Sequence, residues 1–83
     1  MSIDTKEFEK HKDPFKYILD FLRENAQRAY TAEFIAKEIG LDPIEVTMYL
    51  QYDRLAELLD KTYRSPIDRA TVKGVTYYKY KGV

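Results

Sequence analysis

The chain has 83 residues, with 14 Lys+Arg balancing 14 Asp+Glu, one His, and no Cys or Trp. This excludes a two-domain protein, a disulfide scaffold and a thiolate or multi-histidine metal site. No apolar run approaches the ~18 residues of a membrane span and the first seven residues hold no apolar signal core, so a folded cytoplasmic domain with no membrane contact is expected.

Residues 1–12 are mostly polar. Asp4-x-x-Glu7 can cap a short helix whose only large apolar groups are Ile3 and Phe8. A frayed tail and a docked short helix both fit residues 1–13. The domain proper is expected over 14–83. Asp13-Pro14 reads as an N-cap followed by proline at the first helical position, where its missing N–H costs nothing. Phe15, Ile18, Leu19, Leu22 and Ala26 then recur at helical spacing, and Tyr17 and Phe21 widen the apolar face. This helix is expected to end near residues 25–27.

Thr31 is the next N-cap candidate. Ala32, Ile35, Ala36 and Ile39 share one face, and Gly40 stops the helix. Asp42-Pro43-Ile44-Glu45 opens another: Asp42 caps, Pro43 takes the first position and Glu45 is expected to close a capping box. Val46, Tyr49 and Leu50 give its inward face. Leu55, Ala56, Leu58 and Leu59 continue the apolar pattern, after an expected bend near Asp53. For Asp53 the sequence leaves three fates open: solvent at the bend, pairing with Arg54 or Arg28, or a contact site.

From residue 61 the pattern changes. Thr62, Tyr63, Ile67, Thr71, Val72, Val75, Thr76, Tyr77, Tyr78 and Tyr80 favour strands. Lys73-Gly74 reads as a hairpin turn, and Pro66 as an edge or bulge residue. Tyr78 and Tyr80 share one face of the second strand and Tyr77 takes the other. Charge shifts along the chain as well. Residues 1–60 carry eight Lys/Arg against thirteen Asp/Glu, whereas residues 61–83 carry six against one. The neutral total hides a basic C-terminal segment of the kind that faces polyanions, or a solvated hairpin with no partner.

Residues 31–50 add specific spacings: Ala36 where two helices approach closely, Gly40 at the turn four residues later, and Val46 and Leu50 inward on the next helix. Thr31-Ala-Glu-Phe-Ile-Ala-Lys-Glu-Ile-Gly-Leu-Asp-Pro-Ile-Glu-Val-Thr-Met-Tyr-Leu50 thereby resembles the helix-turn-helix signature. The segment 61–81, closing on Lys73-Gly-Val-Thr-Tyr-Tyr-Lys-Tyr80, is similar to the wing of winged helix-turn-helix regulators from bacteria and archaea. The resemblance covers residues 14–81. It implies a mainly helical α+β fold of three core helices and a C-terminal two-stranded β-hairpin wing.

The same resemblance implies a small transcriptional regulator that binds duplex DNA, as a homodimer. Its recognition helix would span about 43–55 and its basic wing 61–81. Carried over by position, Thr47, Met48, Gln51 and Tyr52 would face bases or sugars, with Gln51 suited to adenine. Thr31 would hold a phosphate at its helix N-terminus, and Lys61, Arg64, Arg69 and Lys73 would supply phosphate contacts. A dimer interface is expected from residues 1–26, through Ile3, Phe8, Tyr17 and Phe21.

One departure from the family pattern supports a different reading. Residues 41–53 contain no Lys or Arg, while Asp42, Glu45 and Asp53 are acidic. A winged helix of that kind can instead be an adaptor that takes a protein partner through the 43–55 helix. No Gly-rich phosphate loop, nucleophile elbow or metal motif occurs, so neither catalysis nor a cofactor is expected.

Overall fold

The computed structural model describes residues 1–82. Four helices come first: α1 (Thr5–Lys12), α2 (Pro14–Glu24), α3 (Ala32–Ile39) and α4 (Pro43–Leu59). An antiparallel hairpin of β1 (Ile67–Val72) and β2 (Val75–Tyr80) follows. The fold is α+β and mainly helical. Three helices build the core as expected, and α1 is a fourth that buries no residue.

Each helix starts where a side chain accepts from its first free amides. Asp4 accepts from the Glu7 N–H at 2.8 Å, Asp13 from Lys16, and Thr31 Oγ1 from Phe34 at 3.1 Å. Asp42 accepts from the Ile44 N–H at 2.7 Å. The reciprocal bond expected from Glu45 is absent among the described residues. Helix α3 ends on Gly40 at φ 73°, a left-handed conformation that an L side chain resists. A Cβ there would also lie 3.0 Å from Lys10 Nζ. That ammonium sits at the C-terminal end of α3, where the helix dipole favours a cation.

The core joins Ile18 and Leu22 of α2, Ile35 and Ala36 of α3, Leu41 of the turn, Val46 and Leu50 of α4, and Ile67 and Tyr78 of the hairpin. Ala36 is fully buried, consistent with a close helix approach. Phe21 meets the Tyr30 ring edge-on at 5.1 Å, and Tyr30 stacks on Phe34 at 5.2 Å. Phe21 is therefore partly covered by its own chain, unlike the exposed Ile3 and Phe8.

Helix α4 corrects two expectations. It runs unbroken through Asp53, so Val46, Leu50 and Asp53 share its buried side. At 100° per residue this turns Leu55, Leu58 and Leu59 outward, and all three are exposed. Asp53 neither faces solvent at a bend nor pairs with Arg54 or Arg28. It is buried and accepts hydrogen bonds from the Tyr63 and Ser65 hydroxyls. Those two residues lie in the 61–66 connection, so the bonds tie α4 to the entry of β1. The strand starts at Ile67, later than its composition suggests, because residues 60–65 turn back to make these contacts.

The hairpin turns on Lys73 (φ 52°) and Gly74 (φ 80°), both left-handed as a two-residue turn requires. Pairing runs from Ile67 with Tyr80 to Val72 with Val75. A second attachment lies far away in sequence. Tyr30 N–H donates to the Tyr78 carbonyl at 2.8 Å, and Tyr78 N–H donates back to the Tyr30 carbonyl at 2.7 Å. This bridge, next to the Thr31 cap, fixes the hairpin relative to the start of α3.

Candidate functional site

Three elements meet in a concave surface: the start of α3, the first turns of α4, and the tip of the hairpin. The cleft is about 840 Å³ and is bordered by Thr31, Glu33, Ile44, Thr47, Met48 and Gln51 on the helical side. Gly74, Val75 and Thr76 close it on the hairpin side. Thr31 is positioned by capping α3. Its hydroxyl oxygen accepts from Phe34 N–H, which leaves the O–H itself to donate outward. Pro43 and the Asp42 cap set the direction in which α4 leaves the turn. Thr47, Met48 and Gln51 then fall on its cleft side by helical spacing.

Four of the nine sequence-predicted site residues therefore border one surface: Thr31, Thr47, Met48 and Gln51. Lys73 adjoins it at the hairpin tip, exposed beside Gly74. Tyr52 lies one turn further along α4. It borders a separate small cavity with Phe15, Tyr49 and Tyr63 and meets the Tyr49 ring edge-on at 6.2 Å.

The other predicted cations lie elsewhere. Arg64 donates to the Lys61 carbonyl at 2.8 Å, so Lys61 and Arg64 belong to the connection after α4. Arg69 is half-buried; its guanidinium donates to the Leu50 carbonyl at 3.0 Å and lies over the Tyr78 ring, 5.1 Å from the centroid. It clamps α4 to the hairpin. Extended chemistry on paper, a free cation in a basic segment, becomes a structural tie once β1 is placed beside α4.

The cleft is low in charge. Glu33 is the one ionisable acid or base of the Asp, Glu, Lys and Arg type that lines it among the described residues. Its apolar wall is led by Ile44, which is 79% exposed. Sequence reading missed Val75 and Thr76, which join the cleft from the hairpin. The missing information was the Tyr30–Tyr78 bridge, for which a lone aromatic before an N-cap is a weak signal.

Beneath the far end of α4, a polar cluster holds the connection in place. Ser65 N–H donates to Glu57 at 3.2 Å, and Arg54 and Lys81 reach the same carboxylate at 3.2 and 3.7 Å. The Ser65 amide, followed by the two cations, holds the Glu57 carboxyl below its ordinary range. Burial, helped by the hydrogen bond to Asp53, pushes the Tyr63 phenol up to about 12. These groups have donors and acceptors matched to each other, so the cluster reads as a latch and not as acid–base machinery.

Among the described residues no cluster of three or more His, Cys, Asp or Glu is placed to hold a metal ion. No helix among them is long and apolar enough to cross a membrane. Comparison with protein-family models, curated proteins and solved structures finds no match to this chain.

Proposed function

We propose that this chain is a winged helix-turn-helix protein that binds duplex DNA as a small transcriptional regulator. The observation that carries the reading is the shared cleft: Thr31, Thr47, Met48 and Gln51 converge beside a hairpin tip bearing Lys73. The order of elements supports it. Helix α3, the left-handed turn at Gly40 and helix α4 make the helix-turn-helix unit, and the bridge from Tyr30 to Tyr78 sets the wing against it.

On this reading the first turns of α4 enter the major groove. Gln51 offers a paired donor and acceptor to an adenine edge, and Thr47 a single hydroxyl. Met48 and Ile44 supply apolar contact to thymine methyls. Thr31 donates its O–H to a phosphate, and Lys73 adds charge from the wing. Glu33 opposes phosphate approach, and Arg69 is committed to Leu50 and Tyr78. Affinity for random DNA is therefore expected to be modest and carried by few cations.

Fluorescence anisotropy of a labelled mixed-sequence duplex, from about 50 to 200 mM salt, tests the reading. The expected result is binding that weakens with salt, with a log–log slope reduced by about one in Lys73→Ala. Gln51→Ala should alter sequence preference more than bulk affinity. Binding that is absent even at the lowest salt would overturn the DNA assignment.

A second reading is favoured by one observation, the exposed Ile44 and Met48 in a cleft with so little positive charge. Those features suit an adaptor that receives an apolar segment of a protein partner. Ile44→Ala with Met48→Ala would then abolish capture of that partner while no duplex binds at any salt.

A further inference from the structure

A second cavity lies against α4 and shares no residue with the cleft. It measures about 220 Å³ and is bordered by Phe15, Tyr49, Tyr52, Asp53 and Tyr63. Three segments supply these residues. Phe15 comes from the first turn of α2 and Tyr63 from the connection before β1. Tyr49, Tyr52 and Asp53 come from one turn of α4, where spacings of three and four bring them to one face. The Tyr49 and Tyr52 rings are inclined at 77° with centroids 6.2 Å apart, so they stand as adjoining walls at nearly a right angle. Tyr63 is held by its hydroxyl bond to Asp53.

Four of the five bordering residues are aromatic and the fifth is an acid. Asp53 is only 7% exposed. The Tyr63 and Ser65 hydroxyls satisfy its hydrogen bonding, but two neutral donors leave its charge uncompensated. Among the described residues no Lys, Arg or His forms an ion pair with it. Aromatic faces are negative as well, because the ring quadrupole places its negative lobes above and below the plane. Rings and carboxylate thus present one sign of potential to one small space. The cation–π contacts of the chain lie elsewhere, with Lys16 over Tyr17 and Arg69 over Tyr78.

We propose that these four rings, set over the Asp53 carboxylate, form a binding site for a methylated ammonium group. Size favours a compact head group, since pockets for drug-sized ligands run to about 300–1,000 Å³. Charge favours a cation, attracted by the ring faces and by Asp53 together. Hydrogen bonding favours methylation. A primary ammonium brings three N–H donors, and the one acceptor group at the base of the cavity already takes two hydroxyls. A trimethylammonium brings no donor, and its methyl groups pack against ring faces.

The site also gives Asp53 a use beyond tying α4 to the connection, because the same two hydroxyl bonds fix the carboxylate beneath the rings. It does not rest on the DNA reading, which concerns the other cavity. A trimethylammonium group can be carried by a small molecule such as choline or by a trimethylated lysine of a protein. Both present the same chemistry to the rings, and the measurement separates them.

Amide shifts of the ¹⁵N-labelled chain test the site. The chain is titrated at constant ionic strength with tetramethylammonium, choline, the capped amino acid Nε-trimethyl-lysine and the neutral choline isostere 3,3-dimethylbutan-1-ol. The cations should bind with dissociation constants on the order of 1 mM and shift Tyr49, Tyr52, Asp53 and Tyr63. The neutral isostere should bind at least about 10-fold more weakly, because it has the shape without the charge. Tyr52 is 55% exposed, so its variants should keep the native circular dichroism. Tyr52→Phe should bind as the native chain does, and Tyr52→Leu should bind at least about 5-fold more weakly, since it keeps apolar bulk and loses the ring. Tighter binding of choline assigns the site to a small molecule, and tighter binding of trimethyl-lysine to a modified protein. No saturable shift with any cation overturns the proposal. So does an isostere that binds as well as choline, or a Tyr52→Leu chain that binds as the native one does.

Discussion

The two faces of α4 carry similar residue types and have different fates. Leu50 on one side is fully buried, whereas Leu55, five residues on, is half exposed. Both are leucines in the same continuous helix. The difference is rotational: five residues turn the chain through about 500°, which leaves Leu55 about 140° from Leu50. The inward face makes the fold. The outward face borders the cleft in its first turns and is exposed beyond them. The comparison teaches that apolar character alone does not locate the core of a small domain; the positions of α2 and α3 around the helix decide it.

The contrast predicts its largest effect in the core. Leu50→Ala should destabilise the fold by about 3 kcal/mol, because the buried side chain leaves a cavity, whereas Leu55→Ala should change stability by less than about 0.5 kcal/mol. Urea unfolding of the two variants checks this, and equal losses would erase the distinction between the faces. In a domain this small the Leu50 loss removes a large fraction of the total stability.

The next effect sharpens the polar part of the inward face. Asp53→Ala leaves the Ser65 and Tyr63 hydroxyls without their acceptor, at a cost of about 2 kcal/mol. Asp53→Asn should lose less, since the amide oxygen still accepts one of the two. An Asp53→Ala chain as stable as the native one would mean that the latch contributes nothing.

Smaller effects belong to the outward side and the hairpin. Glu33→Gln should tighten duplex binding a few-fold, because one exposed charge near phosphate is worth up to about 1 kcal/mol. Anisotropy at about 50 mM salt checks it; weaker binding would mean that Glu33 contacts the ligand favourably.

Acidity probes the latch from another side. Glu57 has its carboxyl lowered by the Ser65 amide, Lys81 and Arg54. A lowered folded-state pKa stabilises above the ordinary carboxylate range and is lost as pH falls through the folded value. Glu57→Gln should therefore flatten the acid side of a stability–pH curve. The raised Tyr63 phenol acts oppositely: its contribution is intact below the ordinary tyrosine pKa and is lost as pH rises toward about 12. Tyr63→Phe should soften the alkaline loss.

Most of the helical framework was legible in the sequence, because caps and periodicity are local. Asp13-Pro14, Thr31, Gly40 and Asp42-Pro43 mark helix ends that the structure places within a residue or two of expectation. The Lys73-Gly74 turn was equally local. What the sequence could not show was long-range. An acid in an otherwise amphipathic helix suggests a bend, but Asp53 is kept in the helix by two hydroxyls ten and twelve residues away. Arg69 suggests a phosphate contact, yet the Leu50 carbonyl nineteen residues away takes its guanidinium. The cleft was half legible: Thr31, Thr47, Met48 and Gln51 follow from helical spacing. Val75 and Thr76 join them only through the Tyr30–Tyr78 bridge, a pairing over forty-eight residues that no local pattern encodes.

The central claim is that the cleft between α3, α4 and the hairpin tip receives duplex DNA. Titration of the ¹⁵N-labelled chain with a short duplex, followed by amide chemical shifts, tests it most directly. The account predicts that the largest changes fall on Thr31, Thr47, Met48, Gln51 and Lys73, with little change at Lys61 and Arg64. Changes confined to the 61–66 connection, or none at low salt, would contradict it.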